Sequence, residues 1–261
     1  MSHKFKKKYG QNFLKDEQIL NDIIDSVEIS NDDLVIEIGP GSGALTKKII
    51  EKTDNVICYE IDTELKKYLN EYSKNATIIY DDFLNRNLLE DINNIKHSKI
   101  YVIANIPYYI TTPIVEKIIN SDISVTECVL MVQKEVADRF SATTGNKEYG
   151  SITVFLNYYF DIQKLFNVSK DKFYPIPNVD SAIIKLKSKK NKIFVQNEEH
   201  FFKLIKDSFR FKRKTIKNNL NNYDLDIVKQ VLDKNSLSLN SRAEEICVYT
   251  FATLSNRLYN K

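Results

Sequence analysis

Asn105-Ile-Pro-Tyr108 closes an apolar run, Ile100–Ala104, and sets an amide, a proline-fixed turn and an aromatic ring at one strand end. That combination suits a planar nitrogen base. An adenine N6 amine is a poor nucleophile because its lone pair is delocalised into the ring. Acceptors for its two hydrogens pull the nitrogen toward tetrahedral geometry and free the pair to attack an activated methyl group. The Asn105 side chain and a backbone carbonyl before Pro107 are such acceptors, and Tyr108 offers a face for stacking. A sulfonium methyl is already a strong electrophile, so positioning takes the place of a dedicated general base. The plain alternative is a proline turn after a strand.

A second apolar run, Leu34–Ile38, opens into Gly39-Pro-Gly41-Ser-Gly43 ahead of a helical pattern, Ala44–Ile50. Glycines there let the backbone turn tightly and approach a nucleoside. Glu60 ends the next strand, 21 residues after Gly39, where an acid accepts ribose hydroxyls. Asp82 follows a third strand and suits an exocyclic amine, although Asp81 beside it is an equal choice on position. A dinucleotide needs a further glycine in the helix, but position 44 is Ala and 46 is Thr. The compact loop therefore fits S-adenosylmethionine, which has no pyrophosphate, better than NAD. Phe173-Tyr-Pro-Ile-Pro177 presents either a second ring for a flipped base or a core plug.

Apolar runs at Leu34–Ile38, Val56–Tyr59, Thr77–Tyr80, Ile100–Ala104, Cys128–Val132, Ser151–Phe160 and Ala182–Leu186 read as strands. Amphipathic stretches such as Glu17–Val27 and Glu64–Tyr72 fall between several of them. Alternating strands and helices predict a parallel, doubly wound α/β sheet. The last two runs lack a helix between them, which predicts a hairpin-like sheet end. Past the basic linker Lys187–Asn191 only helical patterns follow, and Ser241-Arg-Ala-Glu244 has capping-box spacing for the last helix. The expected division is a cofactor-binding domain over 1–188 and a small helical domain over 189–261.

With 43% hydrophobic and 28% charged residues, the chain supports a real core, and no apolar stretch approaches a membrane span. Its basic N-terminus lacks the apolar segment of a secretory leader. Cys58, Cys128 and Cys247 are widely spaced, and His3, His97 and His200 are scattered, so no metal site is expected and a cytoplasmic setting is. Net charge is only +3, but residues 4–8 hold four lysines. Between 203 and 217 lie Lys203, Lys206, Arg210, Lys212, Arg213, Lys214 and Lys217 against one acid, Asp207. Such clusters release counterions on meeting phosphates and favour nucleic acid; a solvated helix face is the alternative.

Gly10–Leu14, Glu37–Gly41, Asn105–Tyr108, Met131–Glu135, Tyr149-Gly150, Phe173-x-Pro-x-Pro-x-Val-Asp-Ser-Ala182 and Arg213–Thr215 together resemble the ribosomal RNA adenine dimethyltransferase family. The likeness runs in order from about residue 8 to 258. Thr112-Pro113, Met131–Arg139 and Val179–Ala182 resemble the housekeeping, kasugamycin-sensitivity branch rather than the macrolide-resistance branch, which usually has Thr-Asp at 112–113. The resemblance implies a Rossmann-like class I S-adenosylmethionine-dependent methyltransferase sheet with a small all-helical C-terminal domain. It implies that Asn12, Leu14, Gly39, Gly41, Glu60, Asp82 and Asn105 hold the cofactor, and that Tyr108 and Phe173 sandwich the target adenine. Asp82 is preferred over Asp81 because Phe83-Leu84 follows it as in the family; Tyr109 replaces the Asn of many members. The implied substrate is a pair of adjacent adenosines near the 3′ end of 16S rRNA in the small ribosomal subunit or its precursor. The enzyme is expected to act as a monomer, leaving S-adenosylhomocysteine. The alternatives are a 23S rRNA methyltransferase of the resistance type and a non-catalytic nucleic-acid-binding relative.

Overall fold

The computed structural model describes residues 12–107 and 110–260. Nine strands and eleven α-helices are found among the described residues. The first stretch runs β1 (Phe13–Leu14), α1 (Glu17–Asp25), β2 (Leu34–Ile38), α2 (Ala44–Ile49), β3 (Asn55–Tyr59) and α3 (Lys66–Leu69). Next come β4 (Thr77–Ile79), α4 (Leu88–Ile92), β5 (Ile100–Asn105), α5 (Thr111–Ile119), β6 (Val125–Gln133) and α6 (Lys134–Phe140). Then follow α7 (Ser151–Tyr159), β7 (Phe160–Val168), β8 (Phe173–Tyr174) and β9 (Ser181–Ser188). Four helices come last: α8 (Glu198–Ser208), α9 (Ile216–Asn219), α10 (Leu225–Asp233) and α11 (Val248–Tyr259).

Seven strands form one sheet in the order β4-β3-β2-β5-β6-β9-β7. Pairings from β4 through β6 are parallel, and β6 meets β9 antiparallel. Strand order reverses between β2 and β5, and open α/β sheets bind ligands in the crevice at such a point. Leu34, Val35, Ile36, Val102 and Ile103 are buried, as expected of parallel strands covered on both faces. Leu20, Ile23 and Ile24 of α1 pack with Leu45 and Ile49 of α2 onto that sheet. Each such side chain contributes roughly 1.5–3 kcal/mol by leaving water. Asp16 caps α1 by accepting from the N–H groups of Gln18 (3.1 Å) and Ile19 (3.2 Å).

The chain divides into two compact units, one of residues up to Ala137 with Gln163–Ser188, the other Asp138–Ile162 with Lys189 onward. This differs from a division at 188/189 alone, because residues 138–162 belong with the C-terminal helices. Tyr149, Val154 and Tyr158 bury with Phe201, Leu204, Val228 and Phe251 in one apolar core. For the same reason the strand expected over Ser151–Phe160 is the helix α7. Its aromatic and β-branched residues mimic strand composition, but Val154 and Tyr158 stand one turn apart on the buried side. Strand structure starts only at Phe160. The last helix likewise begins at Val248 rather than near Ser241. Instead, Arg242 N–H donates to Glu245 Oε1 at 2.5 Å across a short 3₁₀ turn, Ala243–Glu245. Among the described residues no helix is long and apolar enough to cross a membrane.

Candidate active site

The loops after β2, β3, β4 and β5 converge on a cavity of about 240 Å³. Asn12, Leu14, Gly39, Gly41, Glu60, Asp82, Asn105 and Phe173 all line it, so the structure brings together every cofactor residue expected from sequence and one of the two stacking rings. Tyr108, the other ring, lies outside the described residues.

The loop after β2 is built around left-handed backbone. Gly41 has φ +62°, and a Cβ there would stand 2.7 Å from Cε1 of Phe13. Gly43, at φ +87°, starts α2, and its Cβ would meet Cε2 of Tyr72 at 2.3 Å. Neither approach tolerates a side chain. The loop is fastened to the end of β3 and the residue after it: Gly39 N–H donates to Tyr59 O (2.9 Å) and Gly41 N–H to Glu60 Oε2 (3.1 Å). Asp62 N–H donates to Glu60 Oε1 at 2.8 Å. Each carboxylate oxygen so held keeps a lone pair for a ligand hydroxyl. Burial raises the Glu60 carboxyl above its ordinary range, and the Asp62 and Gly41 N–H groups partly offset that.

Asp82 and Asp81 both face the cavity but are held differently. Asp82 Oδ1 accepts from Leu84 N–H (3.0 Å) and caps the short turn Phe83–Asn85. Asp81 pairs with Arg86 at 3.3 Å and accepts from Asp82 N–H. Asn105 ends β5 half-buried, beside the glycine loop: a Cβ on Gly39 would lie 3.5 Å from the Asn105 carbonyl. Leu14 and Phe173 reach the cavity as register partners, since β1 pairs antiparallel with β8. Phe173 is 3% exposed, as a core plug would be, and it also lines the cavity.

Sequence reasoning gave Glu37 no role, yet it lines the cavity from near the C-terminal end of β2. It is fully buried, and its Oε2 accepts from Thr46 Oγ1 (2.6 Å) and from the Cys58 thiol (3.4 Å). Burial pushes this carboxyl up to about 7; the two donors oppose the rise and nearby Glu60 adds to it. A lone acid inside the apolar run Leu34–Ile38 was the available signal.

The charge of the lining discriminates between cofactors. Among the described residues it carries four acids, Glu37, Glu60, Asp81 and Asp82, and no Lys, Arg or His. A pyrophosphate would meet no cation among the described lining residues. S-adenosylmethionine, with a sulfonium and an ammonium against one carboxylate, carries the complementary sign. Its ribose hydroxyls match Glu60, and its adenine amine matches an acid after β4. The residues present fit that group.

In the C-terminal unit, Lys206 lies on α8, Arg210, Lys212, Arg213 and Lys214 on the turn after it, and Lys217 on α9, all exposed. Buried Asn219 holds the turn: its amide donates to Ser208 O (2.7 Å) and accepts from Phe211 N–H (3.2 Å). The structure thus gathers the 206–217 cations on one pinned turn and its flanks. The N-terminal lysines lie outside the described residues.

The sequence matches the profile of the family described as ribosomal RNA adenine dimethylase over residues 2–260. It is 43% identical to a ribosomal RNA small subunit methyltransferase A of Aster yellows witches'-broom phytoplasma, covering 98% of this chain and 96% of that one. The protein of the same name from Staphylococcus aureus is 41% identical over 96% of this chain and 88% of its own length. A crystal structure of a dimethyladenosine transferase from Plasmodium falciparum superposes with a TM-score of 0.76 at 27% identity, covering 92% of this chain and 95% of that one. A match of this extent, on a fold whose loops gather the expected residues around an acid-lined cavity, means that the chain belongs to the ribosomal RNA adenine dimethylase family.

Proposed function

We propose that this enzyme transfers methyl groups to N6 of two adjacent adenosines near the 3′ end of 16S rRNA, four transfers in all. The substrate is the small ribosomal subunit or its precursor, and the enzyme works in the cytoplasm as a monomer. Family membership implies S-adenosylmethionine as methyl donor, which supplies an electrophilic methyl group when bound. The observation that carries the reading is the placement of Asn105 in the wall of a cavity whose charged lining, among the described residues, is acidic alone.

That placement and the family resemblance together support a role for each residue. Glu60, tied to the glycine loop through Gly41, orients the ribose; Gly39 and Gly41 keep the backbone close; Asp82 takes the cofactor's exocyclic amine. Asn12 and Leu14 close the wall on the β1 side. A target adenine taken out of its stack presents N6 to the Asn105 amide oxygen, which accepts one hydrogen and orients the lone pair. Phe173 and Tyr108 hold the ring by its faces. The basic turn at Lys206–Lys217 meets rRNA phosphates. The relatives' names, which specify the small subunit, support 16S rather than 23S rRNA.

The test is methyl-labelled S-adenosylmethionine with unmodified small and large subunits, followed by mass-spectrometric mapping. Label on two neighbouring small-subunit adenosines is expected. Label confined to large-subunit RNA would support the resistance-type activity instead.

A further inference from the structure

Tyr174 follows cavity-lining Phe173 in β8, yet it is 52% exposed and lies outside the cavity lining. Over its ring stands the Lys15 ammonium, 4.4 Å from the centroid. The arrangement is held from both sides. Phe13 and Leu14 pair with Tyr174 and Phe173, and Lys15 N–H donates to Lys172 O at 3.2 Å, continuing the ladder. The next residue, Asp16, binds the Lys172 ammonium at 2.7 Å while capping α1. Lys172 is therefore neutralised, whereas Lys15 makes no ion pair among the described residues. Beyond Tyr174, Ile176 and Val179 are exposed on the loop leading to β9.

We infer that Tyr174 and Lys15 form a second nucleotide subsite, a stacking platform for the ribonucleotide next to the one whose base enters the cavity. The inference rests on the reading under Proposed function and adds how the flanking nucleotide is held. An exposed ring beside a cation with no acid to neutralise it among the described residues meets both halves of a single-stranded nucleotide. The ring takes the base whatever its identity, and the ammonium takes the adjoining phosphate. A protein partner would use the apolar loop but leave Lys15 unmatched unless it brought an acid. One strand carries both subsites: Phe173 serves the reacting base and Tyr174 its neighbour. For a target of two adjacent adenosines, the base not being methylated then has a defined seat, and Tyr174 acts as a positioning residue.

Steady-state transfer to unmodified small subunits tests this, with the full chain and its Tyr174→Ala, Tyr174→Phe and Lys15→Gln variants. Tyr174→Ala should raise KM for subunits about ten-fold, the scale of one base–aromatic stack, with kcat and cofactor Kd within about two-fold of wild type. Tyr174→Phe should behave like wild type, because the ring face and not the hydroxyl is used. Lys15→Gln should raise the same KM by about two- to five-fold and flatten its salt dependence. A Tyr174→Ala KM indistinguishable from wild type, or an equal loss in Tyr174→Phe, overturns the platform. If Tyr174→Ala also loses cofactor binding, Lys15→Gln decides on the same criterion. A wild-type chain that transfers no methyl group to subunits overturns both readings; an active wild type with silent variants overturns the platform alone.

Discussion

The main-chain N–H of Gly41 donates to Oε2 of Glu60 at 3.1 Å, so the loop after β2 and the acid after β3 are set by one hydrogen bond. The same carboxylate receives Asp62 N–H through its other oxygen. A residue assigned to the ribose therefore also fixes the glycine loop, and changing it acts on both.

Glu60→Gln keeps the size of the side chain but removes its charge and weakens its acceptors. Hydrogen bonds to charged groups contribute about 1.5–3 kcal/mol, so Kd should rise about ten- to hundred-fold. S-adenosylmethionine and S-adenosylhomocysteine share the ribose, so both should weaken alike in titration calorimetry. A loss confined to one of them would remove Glu60 from the ribose role.

Gly43→Ala forces an alanine to φ +87° with its Cβ 2.3 Å from Tyr72. The left-handed backbone alone costs about 1–2 kcal/mol, and the ring contact adds to it. Adding Tyr72→Ala should relieve the contact but not the backbone cost. A double-mutant cycle on chemical denaturation should show positive coupling, with the double variant still below Tyr72→Ala alone.

The pH dependence of stability should carry the signature of Glu37. Its folded carboxyl stands near 7 against an ordinary value of 4.5, so the folded state holds a proton that the unfolded state has lost between those values. Its contribution is fully present below about 4.5 and is lost as pH rises through about 7. Glu37→Gln cannot lose that proton. Relative to wild type the variant should gain stability from pH 5 to pH 8, by up to about 3 kcal/mol. Thermal melts across that range check the sign, and a relative gain that shrinks with pH would contradict it.

On the basic turn, Arg213→Glu with Lys214→Glu should weaken subunit binding and flatten its salt dependence by about 0.7–0.9 in log–log slope per lost phosphate contact. Cofactor Kd should not move. Asn219→Ala should reduce subunit affinity less, by releasing the turn without removing its charge, and should cost about 1–3 kcal/mol in stability through unpaired buried carbonyls.

The sheet was legible because β2 and β5 are buried on both faces and read as apolar runs, interrupted only by Glu37 in β2, that end at Gly39 and Asn105. Those ends fix the switch point, and with it Glu60 and Asp82 beside the same crevice. Asn12 and Leu14 were visible only through family resemblance: β1 is two residues long and exists by pairing with β8, some 160 positions away. Helix α7 reads as a strand in sequence because Val154, Phe155, Tyr158 and Tyr159 have strand-like composition, and their helical pairing depends on Phe201 and Phe202. Glu37 had no legible role, since one acid in an apolar run signals a buried group only once its partners, Thr46 and Cys58, are seen.

The central claim is that Asn105 presents an adenine N6 to the methyl donor in the acid-lined cavity. Its most direct test is the mass-spectrometric yield of dimethyladenosine on unmodified small subunits with wild type and Asn105→Ala at saturating S-adenosylmethionine. Losing a hydrogen bond that orients the nucleophile should lower transfer by about a hundred-fold or more while the thermal midpoint is retained. Dimethyladenosine formed by a folded Asn105→Ala within about two-fold of the wild-type rate would contradict the account.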